Sequence, residues 1–187
     1  MLRCIDALLQ SPSRYIISQY LVSELEYSHM VPADLNWDYP EPHVIEHIAL
    51  DEEADGYGHI NNSVYLQWLD QCVWDHCDAV DMSPQLCREL NRGFAATRHE
   101  IDYLRAAYPG NHVAIANWVT ANDHRLRAER RFQIIRITDG QILLRARSYY
   151  VCTDLTTGRP TRMPEIFKTG FPVLPEVANA LEGESTR

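Results

Sequence analysis

Apolar and polar residues alternate along five stretches of this chain, and along one further stretch the apolar residues recur every three or four positions. The alternating stretches predict strands over His43–Leu50, Ala96–Leu104, His112–Ala121, Leu126–Ile137 and Ile142–Thr153. In the first of them Val44, Glu46, Ile48 and Leu50 fall on one side, and His43, Ile45, His47 and Ala49 on the other. The helical pattern places Tyr65, Trp68, Leu69, Cys72, Val73 and His76 on one stripe. That helix should begin near Asn61 or Asn62, because either side-chain oxygen can satisfy an exposed N–H at a helix start, and run to about Ala79. Pro84 to Leu90 reads as a short second helix.

Turn signals punctuate the strands. Pro109-Gly110-Asn111 and Asn122-Asp123-His124 read as turns, and Asp139-Gly140 as a hairpin. Before the first strand, Cys4–Leu9 and Tyr15–Leu25 suit short helices, and Pro32, Pro40 and Pro42 break the chain into a linker. Pro164, Pro172 and Pro175 predict little regular structure beyond a turn of helix near the end. The expected division is an extension and linker over residues 1–42, one domain over 43–168 and a tail over 169–187. The expected fold is α+β: a strand, a long helix, then an antiparallel meander of four strands, with the helix covering one sheet face because neither element buries its apolar side alone. Ile142–Thr153 would be an exposed edge of that meander, and an exposed edge invites pairing or cover.

The chain has 187 residues, enough for one domain with a real core. It contains no apolar run of transmembrane length, and its first residues lack a signal-peptide pattern. Its five cysteines form no CxxC pairs and no small-domain disulfide frame, which predicts a reducing, cytoplasmic setting. The net charge of −9 argues against a nucleic-acid partner. That charge is uneven: residues 1–60 carry a net −9 and residues 124–187 a net +4, nearly all of the latter from arginine. Arginine forks suit phosphate, so Arg125, Arg127, Arg145 and Arg147 are candidate contacts for a phosphorylated ligand, against the plainer reading of solvated or cross-strand-paired charge.

The candidate chemistry sits just before the long helix, in Asp55-Gly56-Tyr57-Gly58-His59-Ile60-Asn61-Asn62. Two glycines allow close backbone approach to a ligand. The helix start offers unpaired N–H groups and a field that favours developing negative charge. A carboxylate held there suits attack on a carbonyl, with Asp55 as nucleophile or as base for water and backbone N–H groups near Asn62 receiving the oxyanion. The plainer alternative is an acidic loop that caps the helix, with His59 packed as a satisfied polar group.

Continued through Ser63-Val64-Tyr65-Leu66-Gln67-Trp68-Leu69, the segment resembles the hot-dog-fold thioesterases of the 4-hydroxybenzoyl-CoA thioesterase type. Their pattern is Asp-x-x-Gly-His-Val/Ile-Asn-Asn-x-x-Tyr-x-x-x-Phe/Trp. Two weaker echoes follow, in Asp102-Tyr103 through Gly110-Asn111 and in Arg159-Pro160-Thr161-Arg162-Met163-Pro164-Glu165. The resemblance implies a hot-dog fold, with the long central helix packed on a curved antiparallel sheet. It implies Asp55 as the catalytic carboxylate, the Asn62 N–H as the group that polarises a thioester carbonyl, and His59 with Asn61 as loop anchors and substrate contacts, so that Asp55, His59 and Asn62 are the candidate catalytic residues. Tyr57 and Gly58 complete the loop's candidate substrate contacts, beside Arg125 and Arg127 for the CoA phosphates. It also implies an acyl-CoA or acyl-carrier-protein thioester as substrate, no metal or organic cofactor, and a homodimer or dimer of dimers with sites at the subunit boundary. Glu53 stands where the family often has a second acid, Asp70 where many relatives have Glu, and Ala106 where Pro is usual. A non-catalytic acyl-CoA binding module and a hot-dog hydratase are the competing classes. Cys72 with His76, one helical turn apart, forms a conceivable thiol–imidazole pair on a face that should instead meet the sheet.

Overall fold

The computed structural model describes residues 35–185. The helices expected at Cys4–Leu9 and Tyr15–Leu25 lie outside the described residues. Five strands form one antiparallel sheet: β1 (His43–Ile48), β2 (Arg92–Tyr103), β3 (His112–Asn122), β4 (Arg127–Arg136) and β5 (Gln141–Asp154). Between β1 and β2 the chain makes a 3₁₀ turn (Asp51–Glu53), the long helix α1 (Asn62–Ala79) and the short helix α2 (Pro84–Glu89). After β5 come α3 (Glu165–Gly170) and α4 (Pro175–Ser185).

The sheet order is β1-β3-β4-β5-β2. Two expectations are corrected here. First, the meander has three strands, not four, because β2 pairs with β5 at the far side of the sheet and not with β3. The segment from Asp51 to Asn91 carries the chain over one face from the β1 edge to the β2 edge. Second, the curved sheet is not observed: the sheet is open, and β1 and β2 remain two separate edges that do not pair with each other. Alternation along a strand specifies which face is covered; it carries no information about coiling or closure. For the same reason β5 is an interior strand, paired on both sides, and not the exposed edge its length suggested.

The inward phase of the strands meets α1. Val113 and Ile115 of β3, Phe132 and Ile134 of β4 and Leu144 of β5 pack against Val64, Tyr65, Trp68, Leu69 and Cys72. Burying each large apolar side chain contributes about 1.5–3 kcal/mol, enough to fix the helix's rotation on the sheet. The tail is more ordered than its prolines suggested. Phe167 and Phe171, around α3, join Met82, Val119 and Cys152 in a second cluster near the C-terminal end of α1. Val177 of α4 joins Ala116 and Trp118 on the opposite sheet face, where Tyr39 also packs. Pro164 is the N-cap of α3 and Pro175 the first residue of α4, where a missing N–H is no loss, and Pro172 lies in the short connection between them.

Candidate active site

The loop before α1 is a tight, multiply anchored turn. The Asp55 N–H donates to the His59 carbonyl at 2.7 Å, and the Gly58 N–H donates back to the Asp55 carbonyl at 2.9 Å. Gly58 has φ +77°, the left-handed conformation that favours glycine. Asp55 Oδ1 accepts the Tyr57 N–H at 2.8 Å and, more weakly, the His59 N–H at 3.4 Å. Its other carboxylate oxygen makes no hydrogen bond among the described residues, and the residue is half-buried.

Asn61 is the N-cap of α1: its side-chain oxygen accepts the Ser63 N–H at 2.9 Å and the Ser63 hydroxyl at 2.9 Å. The Asn61 N–H is taken by the Glu53 carbonyl, and the Val64 N–H by the Asn61 carbonyl. At this helix start the Asn62 N–H is therefore the donor left without a partner among the described residues. Thus Asp55, Tyr57, Gly58, His59, Asn61 and Asn62 belong to one short, ordered segment that presents a carboxylate and a helix start together.

Three side chains hold that segment, and their sequence signal was only partly readable. Glu53 is the main clasp. It accepts from the Leu50 N–H at 2.8 Å, from Trp68 Nε1 at 2.9 Å and from His47 Nε2 at 2.9 Å. Burial alone would raise its carboxyl; the hydrogen bonds from His47, Leu50 and Trp68 outweigh burial and hold it below the usual range. Tyr65 accepts the Ala107 N–H at 2.7 Å, while the Ala107 carbonyl accepts the Ile60 N–H at 2.9 Å. Tyr103 donates its hydroxyl to the Asn62 carbonyl at 2.9 Å. His59 sets its ring edge-on to Tyr108, 5.1 Å between centroids.

The arginine candidates do not converge on this loop within one chain. Arg125 and Arg127 follow the β3–β4 turn, where their N–H groups donate to Asp123 Oδ1 at 2.8 Å each. That turn lies toward the C-terminal end of α1, whereas the Asp55 loop precedes its start, and the 18-residue helix is about 27 Å long. Arg145 is held by Asp38 through two contacts of 2.6 and 2.7 Å, and Arg147 by Glu129 at 2.6 Å.

A polar cluster in the interior went unread in the sequence. Asn117 and Arg130 occupy inward strand positions otherwise filled by Val113, Ile115, Val119, Phe132 and Ile134. A polar residue on an apolar phase was the available signal. Asn117 donates to Cys72 Sγ at 3.0 Å, and the Cys72 thiol donates to the Ile115 carbonyl at 3.3 Å. Burial pushes that thiol up to about 12, so Cys72 is a packing residue and not a nucleophile. His76 contacts Asn117 and Arg130, not Cys72. Burial and the adjacent Arg130 charge press the His76 imidazole down to about 4, so it is neutral and accepts from Arg130. Among the described residues no three His, Cys, Asp or Glu side chains are placed to hold a metal ion. No helix among them is long and apolar enough to cross a membrane.

Fold and loop define a class. Residues 50–180 match the thioesterase-like superfamily, and the chain belongs to it; the protein is thus of the thioester hydrolase class. Solved structures share the fold at low identity. The 1,4-dihydroxy-2-naphthoyl-CoA thioesterase from Synechocystis is 18% identical with a TM-score of 0.63, the match covering 70% of this chain and 95% of that one. The DHNA-CoA thioesterase from Staphylococcus aureus is 18% identical with a TM-score of 0.62, covering 78% and 91%. A hypothetical protein from Staphylococcus aureus, solved in complex with CoA, is 16% identical with a TM-score of 0.64, covering 73% and 91%. No curated protein matches the chain.

Proposed function

We propose that the protein hydrolyses acyl-CoA thioesters at the loop before α1. The observation that carries this reading is the pairing of Asp55, one carboxylate oxygen of which makes no hydrogen bond among the described residues, with the Asn62 N–H at the start of a long helix. A thioester carbonyl is electrophilic, and its thiolate leaves without a strong acid. Asp55 attacks the carbonyl or deprotonates the attacking water. The Asn62 N–H, aided by the helix field, receives the oxyanion; a donor of this kind is worth about 3–4 kcal/mol in the transition state. Glycine at position 58 keeps the loop tight, and Tyr57, His59 and Asn61 border the substrate.

CoA is the favoured thiol carrier, since the Staphylococcus aureus protein of like fold was solved with it. A homodimer, or a dimer of dimers, forms through an open sheet edge; in β2 the consecutive residues Ala95 to His99 are exposed in the single chain. Arg125 and Arg127 then serve the CoA phosphates of a site contributed mainly by a second copy. Thiol release from a panel of acyl-CoAs tests the reading. Hydrolysis that Asp55→Asn lowers by roughly 10²–10⁴ in kcat supports it. A folded variant with undiminished activity refutes the role of Asp55, and an active wild type that sediments as a 21.6 kDa monomer refutes the shared site.

A further inference from the structure

Arg130 is a cation inside the protein with no anion beside it. It lies on the inward face of β4 and is 6% exposed. Its Nη1 donates to the Asn117 side-chain oxygen and, at 2.7 Å, to His76 Nδ1. The guanidinium carbon lies 4.9 Å from the centroid of the Phe171 ring. All three partners are uncharged. Arg130 forms no ion pair among the described residues. The acidic groups whose fields it feels, Cys77, Tyr150 and Cys72, are thiols and a phenol that burial keeps protonated. A buried charge left without a counter-ion is costly, and such groups are normally paired.

The space around it explains the arrangement. Arg130 lines a cavity of about 400 Å³ between α1, β2, β4 and α3, walled by Val73, Phe94, Val119, Leu155, Phe167 and Phe171. Arg88 adds a second positive charge to the wall, and exposed Asp70 a negative one. A groove of about 600 Å³ continues from it, sharing Asp70, Ala96 and Tyr150 and reaching Ser63 at the first turn of α1. Together they follow α1 from Ser63 to Cys77, about 21 Å at the rise of a helix. A chain whose carbonyl sits at the helix start would lie along this space with its far end at Arg130.

We propose that the cavity receives an apolar chain ending in a carboxylate, and that Arg130 is the receptor for that carboxylate. The guanidinium fork suits a carboxylate better than any neutral group, and the apolar walls strengthen the pairing. On the thioesterase reading above, on which this part rests, the ligand is the substrate's acyl group, carrying a second carboxylate at its far end. A free long-chain carboxylate offers the same chemistry from another source.

Trp74 lines the cavity and is partly exposed, so the fluorescence change lost in Trp74→Phe, set against Trp37, Trp68 and Trp118, reports occupancy. The full chain is titrated with dodecanoate and with dodecanol, and kcat/KM is compared for dodecanedioyl-CoA and dodecanoyl-CoA. Dodecanoate should bind about tenfold or more tightly than dodecanol, as a charge-assisted pair requires. Dodecanedioyl-CoA should be preferred by a similar factor. Arg130→Gln keeps a polar side chain but loses the charge, and should erase both preferences with the thermal melt retained. Ala128→Leu narrows the cavity with Arg130 in place and should weaken dodecanoate; with the wild-type comparisons it decides the matter if Arg130→Gln does not fold. A preference for dodecanoate without one between the thioesters supports the receptor and identifies the free carboxylate as its ligand. Equal binding of dodecanoate and dodecanol with equal turnover of the two thioesters overturns it. If no acyl-CoA is hydrolysed, the thioesterase reading fails, and the binding comparison alone decides this one.

Discussion

The loop before α1 and the polar cluster around Asn117 are built by opposite means. In the loop, consecutive residues supply nearly everything: Asp55, Gly58, His59 and Asn61 close a turn on themselves, and Glu53 clasps it from two residues upstream. In the cluster, Cys72, His76, Asn117 and Arg130 come from one helix and two strands. Local sites keep their chemistry in a readable string. Sites assembled by tertiary packing do not, because the residues that meet are set by register and not by spacing.

That contrast yields different responses to substitution. The largest change in stability is expected from Asn117→Ala. It removes a neutral acceptor from the buried Arg130 charge and a donor from Cys72 together. The loss should be about 2–4 kcal/mol, as for removing one buried hydrogen bond to a charged group and one neutral one, read as a lower urea midpoint. An unchanged midpoint would mean that the cluster is not a structural unit. Glu53→Gln should cost less, about 1–3 kcal/mol, since it loses the charge-assisted bonds but keeps one acceptor. Its activity should fall further than its melting temperature suggests, because the clasp fixes the Asp55 loop; a loss in stability with full kcat would separate the two.

The cluster also carries a pH signature. His76 binds its proton at about 4 when folded and about 6.5 when unfolded. Between those values the unfolded chain holds more protons, so stability is complete above about pH 6.5 and is lost as pH falls toward 4. Denaturant melts across that window should show the loss, and His76→Gln should flatten it. The smallest effect is expected from Tyr65→Phe. It leaves the buried Ala107 N–H without its acceptor at a cost of about 1 kcal/mol or somewhat more. A loss confined to stability would place Tyr65 in the support of the loop alone.

The sequence was legible where the physics is local. The five strands and the long helix lie within a few residues of their predicted bounds, because alternation and a 3.6-residue stripe are imposed by burial on each element separately. Asn61 was readable as a cap because a cap acts on its own helix. Strand order was not readable. Nothing in β2 states that its partner is β5 instead of β3, since that choice depends on where α1 and α2 deliver the chain. The open sheet was missed for the same reason. Glu53 was noticed as an acid, but not as the acceptor of Trp68, fifteen residues away. Arg145 and Arg147 looked available for phosphate until their partners Asp38 and Glu129 came into view.

On the proposed reading Asp55 performs chemistry and does not merely order its loop. This is tested most directly by measuring kcat and substrate affinity separately for the folded Asp55→Asn protein. The affinity is taken from acyl-CoA quenching of tryptophan fluorescence before turnover, and kcat from thiol release at saturating substrate. Affinity should stay within about twofold of wild type and kcat should fall by roughly 10²–10⁴, as for removal of a positioned base or nucleophile. A kcat equal to wild type, with the variant folded and the substrate bound, would contradict it.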